Sequence, residues 1–311
     1  MKTVLITGAA GFIGSHLCDT FIKEGFYVIG IDNFITSNPK NIEHLNAESN
    51  FKFIEQDVTI PLNIEEDLDL ILHFACPASP VDYLRFPLET LKVNSIGTLN
   101  TLEIAKTNDA RYVFASTSEI YGDPEIHPQP EYYWGNVNPV GPRSVYDEAK
   151  RFSEAITMSY FREYGLDIRI VRIFNTYGPR MKSADGRVVP NFITQALNNE
   201  NLTVYGNGNQ TRSFCYVDDL IQGIFQISNN DDLKGEVMNL GNPEEYKIID
   251  FAKMIIEKTG SKSEITFKTL PEDDPKQRRP DITKTKQLIG WEPETSLELG
   301  LKKTIQYFSD D

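Results

Sequence analysis

Positive charge is scarce in this 311-residue chain: 31 Lys and Arg stand against 45 Asp and Glu, a formal net charge of -14. A general nucleic-acid binder is excluded, because phosphate backbones are held by a surplus of Lys and Arg. Any anionic ligand must instead meet locally clustered cations. Cysteine is scarce too: Cys18, Cys76 and Cys215 are odd in number, widely spaced and without metal-ligand spacing. That argues against a disulfide framework and a zinc centre and for a reducing cytoplasm; no metal is expected. No apolar run approaches the ~20 residues needed to span a bilayer. The chain opens directly into Val4-Leu5-Ile6 with no signal-peptide pattern, so neither export nor a membrane partner is expected. Repeats and low-complexity tracts are absent, and the acidic pairs Asp231-Asp232 and Asp310-Asp311 read as solvated loop and tail. What is present is 40% hydrophobic residues, enough for a large core in one or two domains.

From residue 3 to about 172, short β-branched or aromatic runs alternate with longer amphipathic stretches, the pattern of a parallel sheet covered by helices. Six strands are expected, at residues 3–7, 27–31, 51–55, 70–74, 112–115 and 168–173. Helical periodicity is clearest over 12–24, 88–106 and 145–164, the last ending at Gly165 as a C-cap. After Asn175 the chain is broken by Gly178-Pro179, Asp185-Gly186, Gly206-Asn207-Gly208 and Pro271-Glu272-Asp273-Asp274-Pro275. The expected fold class is α/β: a Rossmann-type doubly wound parallel sheet with a smaller C-terminal α/β substrate domain. Residues 1–178 are assigned to the first unit. Residues 179–311 go mainly to the second, with some segments returning to the first.

Thr7-Gly8-Ala9-Ala10-Gly11-Phe12-Ile13-Gly14 lies between the first strand and the first helix. Glycines there permit a tight turn and close approach to a pyrophosphate, while the helix N-terminus offers unpaired N–H groups. The spacing is G-x-x-G-x-x-G, and alone it also fits a plain structural turn. Asp32 shifts the balance, because a carboxylate closing the second strand accepts ribose hydroxyls and repels a 2′-phosphate, favouring NAD over NADP. Asp57, after the third strand, meets the adenine or caps its loop. Tyr146 and Lys150 stand four apart in Tyr-Asp-Glu-Ala-Lys, on one helix face, so the ammonium can favour the phenolate. Ser116-Thr117-Ser118-Glu119 follows the fifth strand and emerges at the sheet edge where ligands bind. Thr117 and Ser118 read as sugar-hydroxyl partners or as turn caps, and Glu119 as an acid, base or water-orienting group.

These segments, with Ile120-Tyr121-Gly122-Asp123-Pro124 and Phe174-Asn175-Thr176-Tyr177-Gly178-Pro179-Arg180, resemble the extended short-chain dehydrogenase/reductase family over nearly the whole chain. Cys76-Pro77-Ala78-Ser79-Pro80, Tyr133-Trp134-Gly135, Asp185-Gly186-Arg187-Val188-Val189, Leu202–Gly206, Gln210-Thr211-Arg212, Asp273-Asp274-Pro275 and Arg278-Arg279-Pro280-Asp281 are similar to its UDP-glucuronate decarboxylase branch. The resemblance implies NAD held by Gly8, Gly11, Phe12, Ile13 and Gly14, by Asp32, Asn33 and Thr36, and by Asp57 and Val58. Ala75, Ala115 and Thr176 complete that set with Tyr146 and Lys150. It makes Tyr146 the base at the sugar C4 hydroxyl, tuned by Lys150, with Thr117, Ser118 and Glu119 along the hexuronate. Lys92, Asn175 and Arg187 are implied near the substrate, and Asn191, Thr203, Val204, Tyr205, Gln210 and Arg212 around the uridine diphosphate. Arg278 is implied to reach the diphosphate or carboxylate from the second domain. Bland alternatives stay open: Asn175 as a loop anchor, Tyr205 as core, the arginines as surface ion pairs. Ser37 replaces a glycine often seen in the family, and Lys182 stands where a histidine occurs.

The implied reaction oxidises C4 with NAD, loses carbon dioxide from the 4-keto acid and re-reduces the ketone, giving UDP-xylose from UDP-glucuronate. A UDP-sugar 4-epimerase or nucleotide-sugar 4,6-dehydratase is the alternative. The dehydratase reading is weakened by Ser118-Glu119 where Asp-Glu is usual. A non-catalytic NAD-sensing protein would not need Tyr146, Lys150 and Glu119 together. The helices over 88–106 and 145–164 resemble the pair that forms a four-helix bundle in family homodimers, with Ile156, Met158 and Phe161 open to either core or interface.

Overall fold

Successive side chains of a strand face opposite sides of a sheet, so apolar runs such as Val4-Leu5-Ile6 call for cover on both sides. The computed structural model, which describes residues 1–270, 275 and 277–310, supplies it. In its first half, β1 (Thr3–Thr7), β2 (Tyr27–Asp32), β3 (Phe51–Glu55), β4 (Leu70–His73), β5 (Arg111–Thr117) and β6 (Ile168–Ile173) are accompanied by helices. These are α1 (Phe12–Lys23), α2 (Pro80–Arg85), α3 (Pro87–Lys92), α4 (Thr98–Asn108) and α5 (Ser144–Tyr164). Val4, Ile6, Leu70, Leu72, Val113 and Val171 enter one core. Their neighbours Leu5, Ile71, Tyr112, Phe114 and Ile170 enter the other. Helix α5 ends where Gly165 takes φ +64°, a left-handed cap that glycine adopts without strain.

The second half carries β7 (Thr176–Tyr177), α6 (Val188–Leu197), β8 (Leu202–Tyr205), β9 (Thr211–Ser213), β10 (Cys215–Tyr216) and α7 (Val217–Asn229). It continues with β11 (Glu236–Leu240), β12 (Glu245–Lys247), α8 (Ile248–Thr259), β13 (Ile265–Lys268), β14 (Gln277–Arg278), α9 (Thr283–Ile289) and α10 (Leu297–Asp310). The main sheet has seven strands in the order β11-β6-β5-β4-β1-β2-β3. All its pairings are parallel. Its strand order reverses between β1 and β4, which opens a crevice at their C-terminal ends. Beside it stand β12-β9-β14, β13-β8 and β10-β7.

Three expectations need correction. The sheet has a seventh strand, β11, drawn from the second half and registered from Glu236↔Arg169 to Leu240↔Ile173. Strand β5 runs on through Ser116 and Thr117, with Thr117 opposite Ile173, so both residues are strand and not the loop beyond it. The helix expected over 88–106 is interrupted by a wider turn, a π-helical Val93–Gly97 between α3 and α4. Side-chain donors compete there for helix carbonyls: Asn94 Nδ2 reaches Thr90 O at 2.8 Å, Ser95 Oγ reaches Leu91 O at 2.7 Å and Thr98 Oγ1 reaches Asn94 O at 3.1 Å. Among the described residues, no helix is long and apolar enough to cross a membrane.

Candidate active site

The crevice at the C-terminal sheet edge widens into a cleft of about 1030 Å³ lined from both halves of the chain. At one end, Gly8 takes φ +73° and donates its N–H to Ile31 O at 2.8 Å. A Cβ on Gly14 would lie 1.9 Å from Gly8 O, so only glycine lets α1 start this close to the turn. Gly11 at the N-cap offers no side chain to the first helical N–H groups. A turn with bare N–H groups at a helix start fits a pyrophosphate. Asp32 is fixed beside it: Oδ2 accepts from Ala10 N at 3.0 Å, and Oδ1 accepts from Phe34 N at 2.9 Å and Ser37 Oγ at 2.7 Å. Ser37, the departure from the family's glycine, therefore braces the carboxylate. Asp57 lines the cleft and also caps its loop, accepting from Thr59 N and Asn33 Nδ2. Phe12, Ile13, Thr36, Val58, Ala75, Ala115 and Thr176 line the same cleft.

In the cleft wall, α5 places Tyr146 and Lys150 side by side, both buried. Lys150 Nζ donates to Ala115 O at 2.9 Å and stands 5.9 Å from the Tyr146 ring centre. Burial pushes the ammonium's pKa down, opposed by the Cys76 thiol and the Glu154 carboxylate. Burial also holds the Tyr146 phenol well above its ordinary value, aided by Cys76 and opposed by a Thr117 hydrogen bond and Arg187. Burial therefore disfavours the phenolate, and added positive charge nearby would favour it. Tyr83 stacks on Tyr146 with ring centres 5.0 Å apart and planes 7° apart, fixing its orientation.

Thr117 caps the turn after β5, its Oγ1 accepting from Glu119 N at 3.2 Å, while still facing the cleft. Glu119 Oε2 accepts from Arg143 Nη2 at 2.5 Å and Arg278 Nη2 at 3.4 Å. Burial pushes the Glu119 carboxyl up, but Arg278 and Arg143 outweigh that and hold it at about 2. It is ionised at neutral pH. Arg278 is itself buried, bonding Ser118 O and, at 2.9 Å, Gly122 O, so it stands behind Glu119 and not in the cleft wall.

Lys92, Asn175, Arg187, Asn191, Thr203, Tyr205, Gln210 and Arg212 also line the cleft. Arg187 is held at Nε and Nη2 by the two oxygens of Asp185, at 2.5 and 2.7 Å. Arg212 Nη2 donates to Pro275 O at 2.7 Å, and Gln210 Nε2 to Tyr205 O at 2.7 Å. These cations supply the local positive charge that the acidic composition demands of any anion site. Val204, the middle of β8, points into the core and does not line the cleft. Lys182, where the family has a histidine, stands 3.6 Å from Asp82. Asp273 and Asp274 lie outside the described residues.

Sequence reasoning missed Arg143, Tyr83 and Asp185. Arg143 carried a signal, standing three residues before Tyr146 at the start of the same helix. Tyr83 carried little, since its contact with Tyr146 crosses 63 positions.

The chain matches the GDP-mannose 4,6 dehydratase family over residues 5–304. It is 53% identical to UDP-glucuronic acid decarboxylase 1 of Xenopus tropicalis over 99% of this chain and 72% of that protein. It is 52% identical to UDP-glucuronic acid decarboxylase 5 of Arabidopsis thaliana over 96% of this chain and 86% of that one. Among solved structures, UDP-glucuronic acid 4-epimerase from Bacillus cereus, in complex with UDP-glucuronic acid and NAD, superposes with a TM-score of 0.89. That pair is 31% identical, over 99% of both chains. With its Rossmann sheet, glycine turn and paired Tyr146 and Lys150, this chain belongs to the extended short-chain dehydrogenase/reductases, in the GDP-mannose 4,6 dehydratase family.

Proposed function

We propose that this protein is an NAD-dependent UDP-glucuronate decarboxylase, converting UDP-glucuronate to UDP-xylose and carbon dioxide. The observation that carries this reading is one continuous cleft lined by a dinucleotide turn, a buried Tyr146–Lys150 pair and the cations Lys92, Arg187 and Arg212. About 50% identity over nearly the whole chain to proteins named for this activity supports it.

Gly8, Gly11, Gly14 and Asp32 would hold NAD, which when bound supplies the oxidant for C4 and the matching reductant. Tyr146 takes the C4 hydroxyl proton and later returns it. Lys150 favours that phenolate by its positive charge, to which bound NAD would add its own. Thr117 and Ser118 place the sugar hydroxyls. Oxidation at C4 puts a ketone β to the C5 carboxylate, and that ketone accepts the electron pair left when carbon dioxide departs. Glu119, kept ionised by Arg143 and Arg278, orients water or a hydroxyl near C5. Arg187, pre-oriented by Asp185, and Arg212 carry the anionic groups of the substrate through charge-assisted bonds. In this assignment Arg278 acts by holding Glu119. Residues 179–311 form most of the substrate side.

The chain is further assigned to the cytoplasm and to a homodimer built on the faces of α3–α4 and α5. Ile156, Met158 and Phe161 pack against the chain's own core, whereas Leu88, Leu91, Ile96, Leu99 and Phe152 are exposed apolar residues awaiting cover. A concentration-independent monomer in analytical ultracentrifugation would refute the dimer. For the activity, the protein is incubated separately with UDP-glucuronate, UDP-glucose and dTDP-glucose, and products are identified by mass spectrometry and sugar-proton NMR. UDP-xylose from UDP-glucuronate alone is expected. A 4-epimer or a 4-keto-6-deoxy sugar as the product overturns the assignment.

A further inference from the structure

Two segments far apart in the chain meet in the cleft wall beside Tyr146. The first is α2, capped by Ser79, whose Oγ accepts from Asp82 N at 3.1 Å. Its Tyr83 stacks on Tyr146. The second is the turn 182–187, in which Asp185 N donates to Lys182 O at 3.1 Å and the Asp185 carboxylate grips Arg187. Both segments line the cleft. They touch at two points. Lys182 Nζ stands 3.6 Å from Asp82 Oδ2, and a Cβ on Gly186 would lie 2.5 Å from Val81 Cγ2. Gly186 also takes φ +84°, so both its backbone and its neighbour call for glycine. Val81 is 50% exposed and the Lys182 side chain 40%, which puts this seam at the rim of the cleft, with Tyr83 and Tyr146 inside it.

The seam bears on one step of the proposed reaction. UDP-glucuronate arrives with a carboxylate as well as a diphosphate, and both can take charge-assisted bonds from the cations of the cleft. Loss of carbon dioxide removes the carboxylate, so the sugar end of the 4-keto-pentose is held by neutral contacts alone. That ketone has two fates. Re-reduction at C4, with the proton returned by Tyr146, gives UDP-xylose and restores NAD. Escape converts UDP-glucuronate and NAD to UDP-4-keto-pentose, carbon dioxide and NADH, with no net proton, and leaves the spent cofactor on the enzyme. The electrostatic grip on the sugar is thus weakest at the step where retention decides the product.

We propose that the Asp82–Lys182 pair determines the product: by holding α2 against the turn 182–187 it keeps the 4-keto-pentose beside Tyr146 until C4 is reduced. Both are positioning residues, which act through the wall they join and not on the reacting atoms. Lysine at 182, in place of the family's histidine, supplies an ammonium where an imidazole is only partly charged at neutral pH. This inference rests on the decarboxylase reading.

The test compares the parent with Lys182→Met, Asp82→Asn, the double variant and Lys182→Arg, each loaded with NAD and given UDP-glucuronate. Mass spectrometry reads the ratio of released UDP-4-keto-pentose to UDP-xylose, and absorbance of bound NADH reads the oxidation rate. Surface plasmon resonance reads the dissociation of UDP-xylose, which does not depend on turnover. A partly exposed ion pair sets the scale at roughly two- to fivefold. Each single charge-removing variant should raise the ratio and the dissociation rate by about that factor, with NADH forming at the parental rate. The double variant should be no worse than either single one, because the two residues act as one pair. Lys182→Arg should keep the parental values. An unchanged ratio and dissociation rate in both single variants, or losses that multiply in the double, overturn the inference. So does slowed NADH formation with an unchanged ratio, since the pair would then serve oxidation. Should one single variant fail to fold, the other and Lys182→Arg decide. No carbon dioxide from the parent removes the decarboxylase reading and this inference with it, whereas UDP-xylose from the parent with no shift in the variants removes this inference alone.

Discussion

Replacing Glu119 by Gln keeps the size of the side chain and removes the charge that Arg143 and Arg278 share. The cost can be worked from the site. A carboxyl moved from its ordinary 4.5 to about 2 stabilises the folded chain by about 3 kcal/mol at neutral pH. Breaking a buried ion pair and stranding its cations costs a similar ~3–5 kcal/mol. Since the folded value is depressed, this stability is fully present above pH 4.5 and is lost as pH falls towards 2. The gap between parent and variant should therefore narrow from about 3 kcal/mol at pH 7 to about 2 kcal/mol near pH 3.5. In differential scanning calorimetry the neutral-pH loss corresponds to a Tm lower by roughly 5–9 °C for a chain of this size. A variant as stable as the parent at pH 7 would refute the clamp. So would a loss that does not shrink on acidification, since that would make it a packing defect.

Tyr146→Phe keeps the ring stacked on Tyr83 and should lose ~10²–10⁴-fold in carbon dioxide release with folding and NAD retention intact; normal NADH formation would remove Tyr146 as the proton acceptor. NAD should bind more tightly than NADP because the braced Asp32 carboxylate in the cleft lining would accept ribose hydroxyls and repel a 2′-phosphate, and equal affinities by calorimetry would contradict this. Gly14→Ala should abolish NAD retention on gel filtration, because the added Cβ meets Gly8 O at 1.9 Å; a variant that keeps bound NAD would show the turn to be more yielding than its geometry.

The sequence made the repeated local features legible. Short continuous apolar runs marked six strands because both faces of a parallel sheet are covered. The glycine turn, Asp32, Tyr146 and Lys150 could be placed because each lies within a few residues of a strand end or helix start. What escaped depends on contacts across long separations. Glu236-Val-Met-Asn-Leu is too polar to announce β11, and only the open edge of β6 makes it a strand. Arg278 is a cation in an arginine-rich stretch, and nothing local distinguishes a guanidinium in the cleft from one buried behind Glu119. Periodicity gave Ile156 and Phe161 an apolar face without saying whether that face meets its own core. The widened turn at Val93–Gly97 needs a census of side-chain donors against carbonyls, which spacing alone does not provide.

Strand β11 also sets the order of events at the ribosome. When Ile173 has emerged, six strands of the sheet exist in the chain, but the outer edge of β6 displays a row of unpaired N–H and C=O groups. Its partner arrives more than sixty residues later. Over that interval the nascent nucleotide half carries an adhesive edge, and α7 must form and cross before the edge is sealed. The closing contact is thus a non-local one, the kind that slows folding and exposes the chain to mispairing. A chain cut at residue 178 would keep every glycine of the dinucleotide turn and still be prone to aggregate along β6.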